Sequence, residues 1–173
     1  MNVLTALLLM NSLSLVSNAL AQDIEPPFGI RHYDTGPAPH FVLANIDGEE
    51  FSFESTRGNW VFLHFWASWC GPCKVEMPAI QKLSEMIPDD RLQIVMINTA
   101  EDEDTIFEFL ASINMNLDSL MDSDGEVTEL WQPRGLPTTI LIDPRGNVKY
   151  QAVGGREWHQ PPYSDFLYRL TAD

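Results

Sequence analysis

The sequence predicts an α/β fold: a mixed central β-sheet flanked by helices on both faces, with a β pair at its N-terminal side. Three observations carry this. The run NWVFLHFWA, Asn59 to Ala67, is almost continuously apolar, with aromatic and β-branched residues. That is the composition of a strand buried on both faces. After it, helix and strand patterns alternate, the order of parallel strands joined by crossover helices. Near the C-terminus, TTILID and NVKYQAVG are joined by DPRGN, whose residues favour a tight hairpin turn. A hairpin adds antiparallel strands, so the sheet is mixed.

The elements follow in chain order. Residues 1–21, MNVLTALLLMNSLSLVSNALA, carry no charged side chain, have an apolar centre at Leu7 to Met10 and end in Ala19-Leu20-Ala21, a small-x-small cleavage pattern. They read as a secretory signal peptide, with an uncleaved anchor as the alternative. Their polar residues suit a membrane span poorly, since a span needs about 20 mainly apolar residues. Residues 22–36 lack periodicity and read as a flexible linker, which leaves 37–173 as one domain. HFVLANIDGEEFSF predicts two short strands around Asn45-Ile46-Asp47-Gly48. Beyond the central strand, Val75, Ala79, Ile80, Leu83 and Ile87 fall at helical spacing, with Pro78 inside the helix as a source of a kink. RLQIVMINTA is the next strand. Asp104 is placed to cap a helix whose Ile106, Phe109, Leu110 and Ile113 share one face. GEVTELWQ is a short helix, and YSDFLYRLTA a last amphipathic one.

The 173 residues include 25 acidic and 10 basic side chains, a net charge of −15. Such a surface repels phosphate backbones and argues against a nucleic-acid partner. The run EDED at Glu101–Asp104 matches no motif and reads as a solvated helix start. DSDGE at Asp122–Glu126 resembles a calcium loop, but Leu120 and Trp131 occupy the end ligand positions. No dinucleotide or phosphate-loop glycine motif is present, so no cofactor is expected.

Both cysteines lie in ASWCGPCKVEMP, two residues apart. Export would place them in an oxidising space. A structural staple, a zinc site and a redox pair are the possible readings. A staple gains most by closing a long loop, and Cys70–Cys73 closes almost none. Zinc needs about four ligands, and two cysteines with four scattered histidines lack that spacing. The redox reading is favoured. A free thiol ionises near pH 8.5 and must be helped. Cys70 sits where strand gives way to helix, and the unpaired N–H groups and partial positive charge of the helix N-terminus stabilise a thiolate there. Gly71 is expected to let the backbone turn closely, and Pro72 suits the first helical turn because it needs no donor. Cys70 is therefore the nucleophile and Cys73, one turn on, the resolving thiol.

A strand feeding Trp69-Cys70-Gly71-Pro72-Cys73 into a proline-containing helix resembles the thioredoxin fold. With GLPTT at Gly135–Thr139, LPTTILIDPRGNV and VGGREW, the chain is similar to the TlpA/ResA-like group of exported thiol–disulfide oxidoreductases over roughly residues 37–171. The resemblance implies a thioredoxin-like fold with a central αβ insertion at about Asp104–Met121, and a cis-proline at Pro137. It implies that the Leu136 backbone pairs with an incoming peptide, and that Trp69, Gly71, Pro72 and Leu136 bind substrate. It also implies that Glu76, in the pattern C-x-x-C-x-x-E-x-P, takes part in proton transfer; the alternative reading of Glu76 is a surface charge on a helix face. The family's buried Asp six positions before the first cysteine is replaced here by His64, either a second proton-transfer group or a hydrogen-bonded core residue. Trp66 reads as core.

The implied activity is reduction of disulfides in envelope proteins of the periplasm, for example in cytochrome c maturation. A membrane thiol transporter would be the electron donor, and the protein would act as a monomer without metal. The alternatives are a disulfide oxidant or isomerase and a copper metallochaperone using His159. The metallochaperone is disfavoured because its relatives space their cysteines more widely. A thiol peroxidase is disfavoured because Ala67 stands where that chemistry needs Thr or Ser.

Overall fold

The computed structural model describes residues 24–113 and 117–172. The expected signal peptide lies outside these residues, as do positions 114–116 of the expected insertion. The chain forms β1 (Ile30–Pro37), β2 (Val42–Ala44), β3 (Glu50–Ser52), a 3-10 turn (Phe53–Thr56), β4 (Trp60–Trp66) and α1 (Gly71–Met86). Then come β5 (Leu92–Thr99), α2 (Glu103–Ile113), β6 (Leu120–Asp122), α3 (Glu126–Trp131), β7 (Thr138–Ile142), β8 (Asn147–Val153) and α4 (Tyr163–Leu170).

One six-stranded sheet has the order β1-β8-β7-β4-β5-β6, and β2 and β3 form a separate hairpin. β4 pairs in parallel with β5 and antiparallel with β7, so the sheet is mixed, as the sequence predicts. β4 lies in the middle, and its side chains alternate between two cores because successive residues of a strand face opposite ways. Phe62 and Trp66 join Met77, Ile80 and Leu83 of α1, Ile106 of α2 and Phe166 and Leu167 of α4. Val61, Leu63 and Phe65 join Phe41, Phe53, Val127 and Trp131 on the other face. Each such buried side chain contributes about 1.5–3 kcal/mol, so β4 is anchored from both faces of the sheet. The turn between β7 and β8 forms as its residues predict: Asp143 accepts hydrogen bonds from the backbones of Arg145 (3.0 Å) and Asn147 (2.8 Å).

Several expectations are corrected. The linker read over 22–36 contains most of β1, which pairs with β8 at the sheet edge. Only Ile30 of that strand is buried, so its side chains show no alternation; backbone pairing with β8 makes it a strand, helped by side-chain contacts of Arg31 with Gln151 and of Asp34 with Lys149. β6, three buried residues, is too short to have a period. The cap of α2 is Asp102, not Asp104: it accepts from Thr105 N at 2.8 Å and Thr105 Oγ1 at 3.0 Å. Val75, placed at helical spacing with Ala79, Ile80 and Leu83, is nevertheless 74% exposed, and Met77 and Glu76 take the buried face instead. α1 runs through Pro78 as one helix.

Candidate active site

β4 ends at Trp66, and Ala67–Cys70 closes a turn in which Cys70 N donates to Ala67 O at 3.2 Å. Cys70 is the N-cap of α1: its backbone is extended, and its Sγ accepts from Cys73 N at 3.3 Å. A disulfide joins Cys70 to Cys73, with Cα atoms 5.3 Å apart. Cys70 is 5% exposed and Cys73 0%. Attack from outside therefore meets Cys70, and the helix N-terminus lies ready to hold its thiolate. Pro72 occupies the first turn of α1. Gly71 is corrected on one point: a Cβ there would meet nothing within 4 Å, so no close backbone approach demands glycine. Trp69, just before the pair, is 69% exposed, whereas Trp66 is buried, as read from the sequence.

Glu76 lies one helical turn beyond Cys73 and is only 2% exposed. The surface-charge reading of its sequence does not describe it. Its Oε1 accepts from Arg156 N at 2.9 Å and from the Trp158 indole N–H. Burial pushes its pKa up to about 7; the two hydrogen bonds and the Arg156 charge pull only partly the other way. Its other oxygen, Oε2, has no hydrogen-bond partner and faces His64 Nε2, also unpartnered, at 3.7 Å.

His64 sits on β4 between Met96 of β5 and Thr139 of β7. Its Nδ1 lies 2.9 Å from Thr139 Oγ1. Complete burial pushes its pKa down to about 3, so the imidazole is neutral near pH 7 and its approach to Glu76 is not an ion pair. His64 is thus hydrogen-bonded in the core, and its other ring nitrogen stands 3.7 Å from the unpartnered oxygen of Glu76.

The start of β7 completes the site. The Leu136–Pro137 peptide bond is cis. Thr138 pairs with Phe65, so Leu136 and Pro137 come to the end of β4 that leads into the cysteines. Leu136 is half-buried and Pro137 buried. Pro137 O accepts from Gly154 N at 2.8 Å. The next residue, Gly155, passes so close to α1 that a Cβ would stand 3.2 Å from Pro72 O and 3.6 Å from Glu76 Cβ. Arg156 and Trp158 then bond to Glu76. One loop after β8 therefore fastens the proline segment, the helix start and the buried carboxylate together. Gly155, Arg156 and Trp158 have no chemistry of their own that would single them out in the sequence; VGGREW as a block was the available signal.

Beside the cysteines, Pro72, Val75, Glu76, Gly155, Arg156 and Tyr163 line an open groove of about 570 Å³. Among the described residues no group of three His, Cys, Asp or Glu is placed to hold a metal ion.

A disulfide-forming C-x-x-C pair at a helix N-terminus, a cis-proline segment against it and a buried carboxylate one turn on define a thioredoxin-fold protein built for thiol–disulfide exchange. The chain belongs to the AhpC/TSA family, whose profile matches residues 35–151, and among that family's thioredoxin-fold proteins to the thiol–disulfide oxidoreductases. It is 34% identical over 117 residues to the thiol–disulfide oxidoreductase ResA of Bacillus subtilis, covering 68% of this chain and 65% of that one. It is 33% identical to ResA of Geobacillus kaustophilus, covering 68% of this chain and 67% of that one. The chain thus spans about two thirds of the length of these relatives. Its fold is similar to that of a thiol:disulfide interchange protein DsbE from Chlorobium tepidum, with a TM-score of 0.72 at 28% identity over 80% of this chain and 98% of that one.

Proposed function

We propose that the protein reduces disulfides in exported proteins by cycling Cys70 and Cys73 between dithiol and disulfide. The observation that carries this reading is Glu76, a buried carboxylate of raised pKa one turn beyond the buried cysteine. In the reduced protein the Cys70 thiolate attacks a substrate disulfide, forming a mixed disulfide and releasing one substrate thiolate. Cys73 gives its proton to Glu76 and attacks Cys70 Sγ; the second substrate sulfur leaves with the electron pair. The substrate gains two electrons, and its two thiolates take up two protons, one lost by Cys73 by way of Glu76 and one from the solvent that took the Cys70 proton on ionisation; the protein becomes the disulfide seen here. Trp69, Gly71, Pro72 and the Leu136 backbone form the docking face, where an extended peptide can add its main-chain hydrogen bonds.

A membrane thiol transporter would return the protein to the dithiol, since a nicotinamide donor is confined to the cytoplasm. The signal-peptide composition of residues 1–21 supports a periplasmic site; a monomer that works without a cofactor is part of the same proposal. Among the described residues, no helix is long and apolar enough to cross a membrane. Cysteine pairs of envelope proteins, such as the haem-attachment thiols of apocytochrome c, are the substrate class proposed.

Two experiments test this. Cys73→Ala should trap substrates on Cys70 as mixed disulfides, to be identified by mass spectrometry; recovery of none from the periplasm would remove the reading. In single-turnover kinetics, Glu76→Gln should slow mixed-disulfide release about 10²-fold, within the range for a lost general base, while attack by Cys70 changes little. Unchanged release would return the proton to His64 or water.

A further inference from the structure

Glu101 belongs to the acidic run read from sequence as a solvated helix start, yet its carboxylate turns inward. Oε2 accepts from Ser68 N at 2.6 Å and from Asn98 Nδ2 at 2.8 Å, and Oε1 accepts from the Ser68 hydroxyl. Three donors converge on one side chain, and two of them belong to a single residue. Ser68 is the second residue of the Ala67–Cys70 turn, and Trp69, the exposed ring beside the cysteines, is the third. The remaining donor, Asn98, is buried on β5, where it pairs with Trp66, the last residue of β4. The carboxylate therefore ties the end of the central strands to the turn that delivers Cys70 to its helix.

The backbone reaches this arrangement through an unusual residue. Ala100 has φ 54°, the left-handed region that a Cβ disfavours. It is held there by a hydrogen bond from its N–H to Asp122 O of β6, 2.9 Å long. Conformations of this kind persist only where the surroundings over-determine them, and they concentrate at functional sites. Here the left-handed residue immediately precedes Glu101 and turns the chain between β5 and α2, so that the carboxylate reaches Ser68 instead of continuing into the helix.

We infer that Glu101 is a positioning residue for thiol–disulfide exchange: by holding both donors of Ser68 it sets how Trp69 and Cys70 are presented to an incoming protein disulfide. The inference rests on the exchange activity proposed above but not on the role of Glu76. Geometry, not charge, is what Glu101 supplies. A negative group acting by charge would oppose the Cys70 thiolate. An amide can replace the hydrogen bonds, since its oxygen accepts from Ser68 N and Asn98 while its NH₂ donates to the Ser68 oxygen.

The test uses the reduced full chain with insulin as the protein disulfide and iodoacetamide as a small probe of Cys70. Glu101→Ala should slow insulin reduction about tenfold, the scale of a modest misplacement of reacting groups, while alkylation of Cys70 changes by less than about twofold. Glu101→Gln should stay within about twofold of wild type in both assays. Ser68→Ala, which keeps the backbone bond and loses only the hydroxyl, should slow insulin reduction about threefold, and it decides the matter if Glu101→Ala folds poorly. Wild-type rates in Glu101→Ala or Ser68→Ala would overturn the inference, and so would a Glu101→Gln protein as slow as Glu101→Ala. A wild-type protein that alkylates at Cys70 but leaves insulin oxidised would instead overturn the exchange reading on which the inference stands.

Discussion

His64 and Glu76 oppose each other in the pH dependence of stability. The pKa of Glu76 rises from 4.5 unfolded to about 7 folded. Between those values the unfolded chain has lost the proton that the folded chain keeps, so its contribution is fully present below about pH 4.5 and is lost as pH rises to about 7. The pKa of His64 falls from 6.5 unfolded to about 3 folded. The unfolded chain then holds a proton that the folded chain refuses, so its contribution is present above 6.5 and is lost as pH falls toward 3. Between pH 4.5 and 6.5 the two slopes cancel. We expect urea midpoints of the oxidised protein to be nearly flat in that window. Glu76→Gln should uncover the His64 slope, with stability rising by about 1.4 kcal/mol per pH unit. A flat profile in the variant would mean that His64 is not held neutral.

At the scale of elements, α3 shows how a short helix is held by a residue outside it. Its N-cap, Gly125, has no side chain to offer. Asp122, the last residue of β6 and fully buried, accepts instead from Val127 N at 3.0 Å and Thr128 N at 2.7 Å. Two of the acids that resemble a calcium loop in the sequence accept backbone hydrogen bonds instead: Asp122 from α3, and Asp124 from Glu126 N at 3.1 Å. Asp122→Ala would leave two N–H groups without acceptors, Val127 N–H being buried. We expect it to cost about 2 kcal/mol, with Asp122→Asn costing less because one acceptor remains. Chemical denaturation of both variants measures this, and equal midpoints for Asp122→Ala and wild type would show that α3 does not depend on the cap. The same element scale explains what the sequence concealed. β1 and β6 are edge strands of the sheet, one with a single buried residue and one with only three residues, so neither has the alternation by which strands are recognised.

For the whole molecule, electrostatics bears on the direction of electron flow. The residues between the cysteines, Gly71 and Pro72, bring no positive side chain to the thiolate, and the chain carries a net charge of −15. Both disfavour the reduced, ionised form, and stabilising that form is what makes such proteins strong oxidants. We expect a reduction potential nearer to about −270 mV than to about −120 mV, measured by glutathione redox titration; a value above about −150 mV would make the protein an oxidant. The two extremes differ by roughly 7 kcal/mol, so the titration separates them easily.

Local pattern was enough to determine the order of most elements, the burial of β4 and the redox pair at the start of α1. Periodicity, turn chemistry and a C-x-x-C spacing are properties of neighbouring residues, and the chain displays them before it folds. Tertiary structure alone decided which acidic residues stay at the surface and which are drawn into the fold near the cysteines. Glu76 is buried because Arg156, 80 residues on, and Trp158, 82 residues on, close over it. Glu101 turns inward because Ser68, 33 residues earlier, offers it two donors. A carboxylate's solvation and protonation depend on what the fold brings to it from far along the chain, and its immediate neighbours in sequence carry no trace of that.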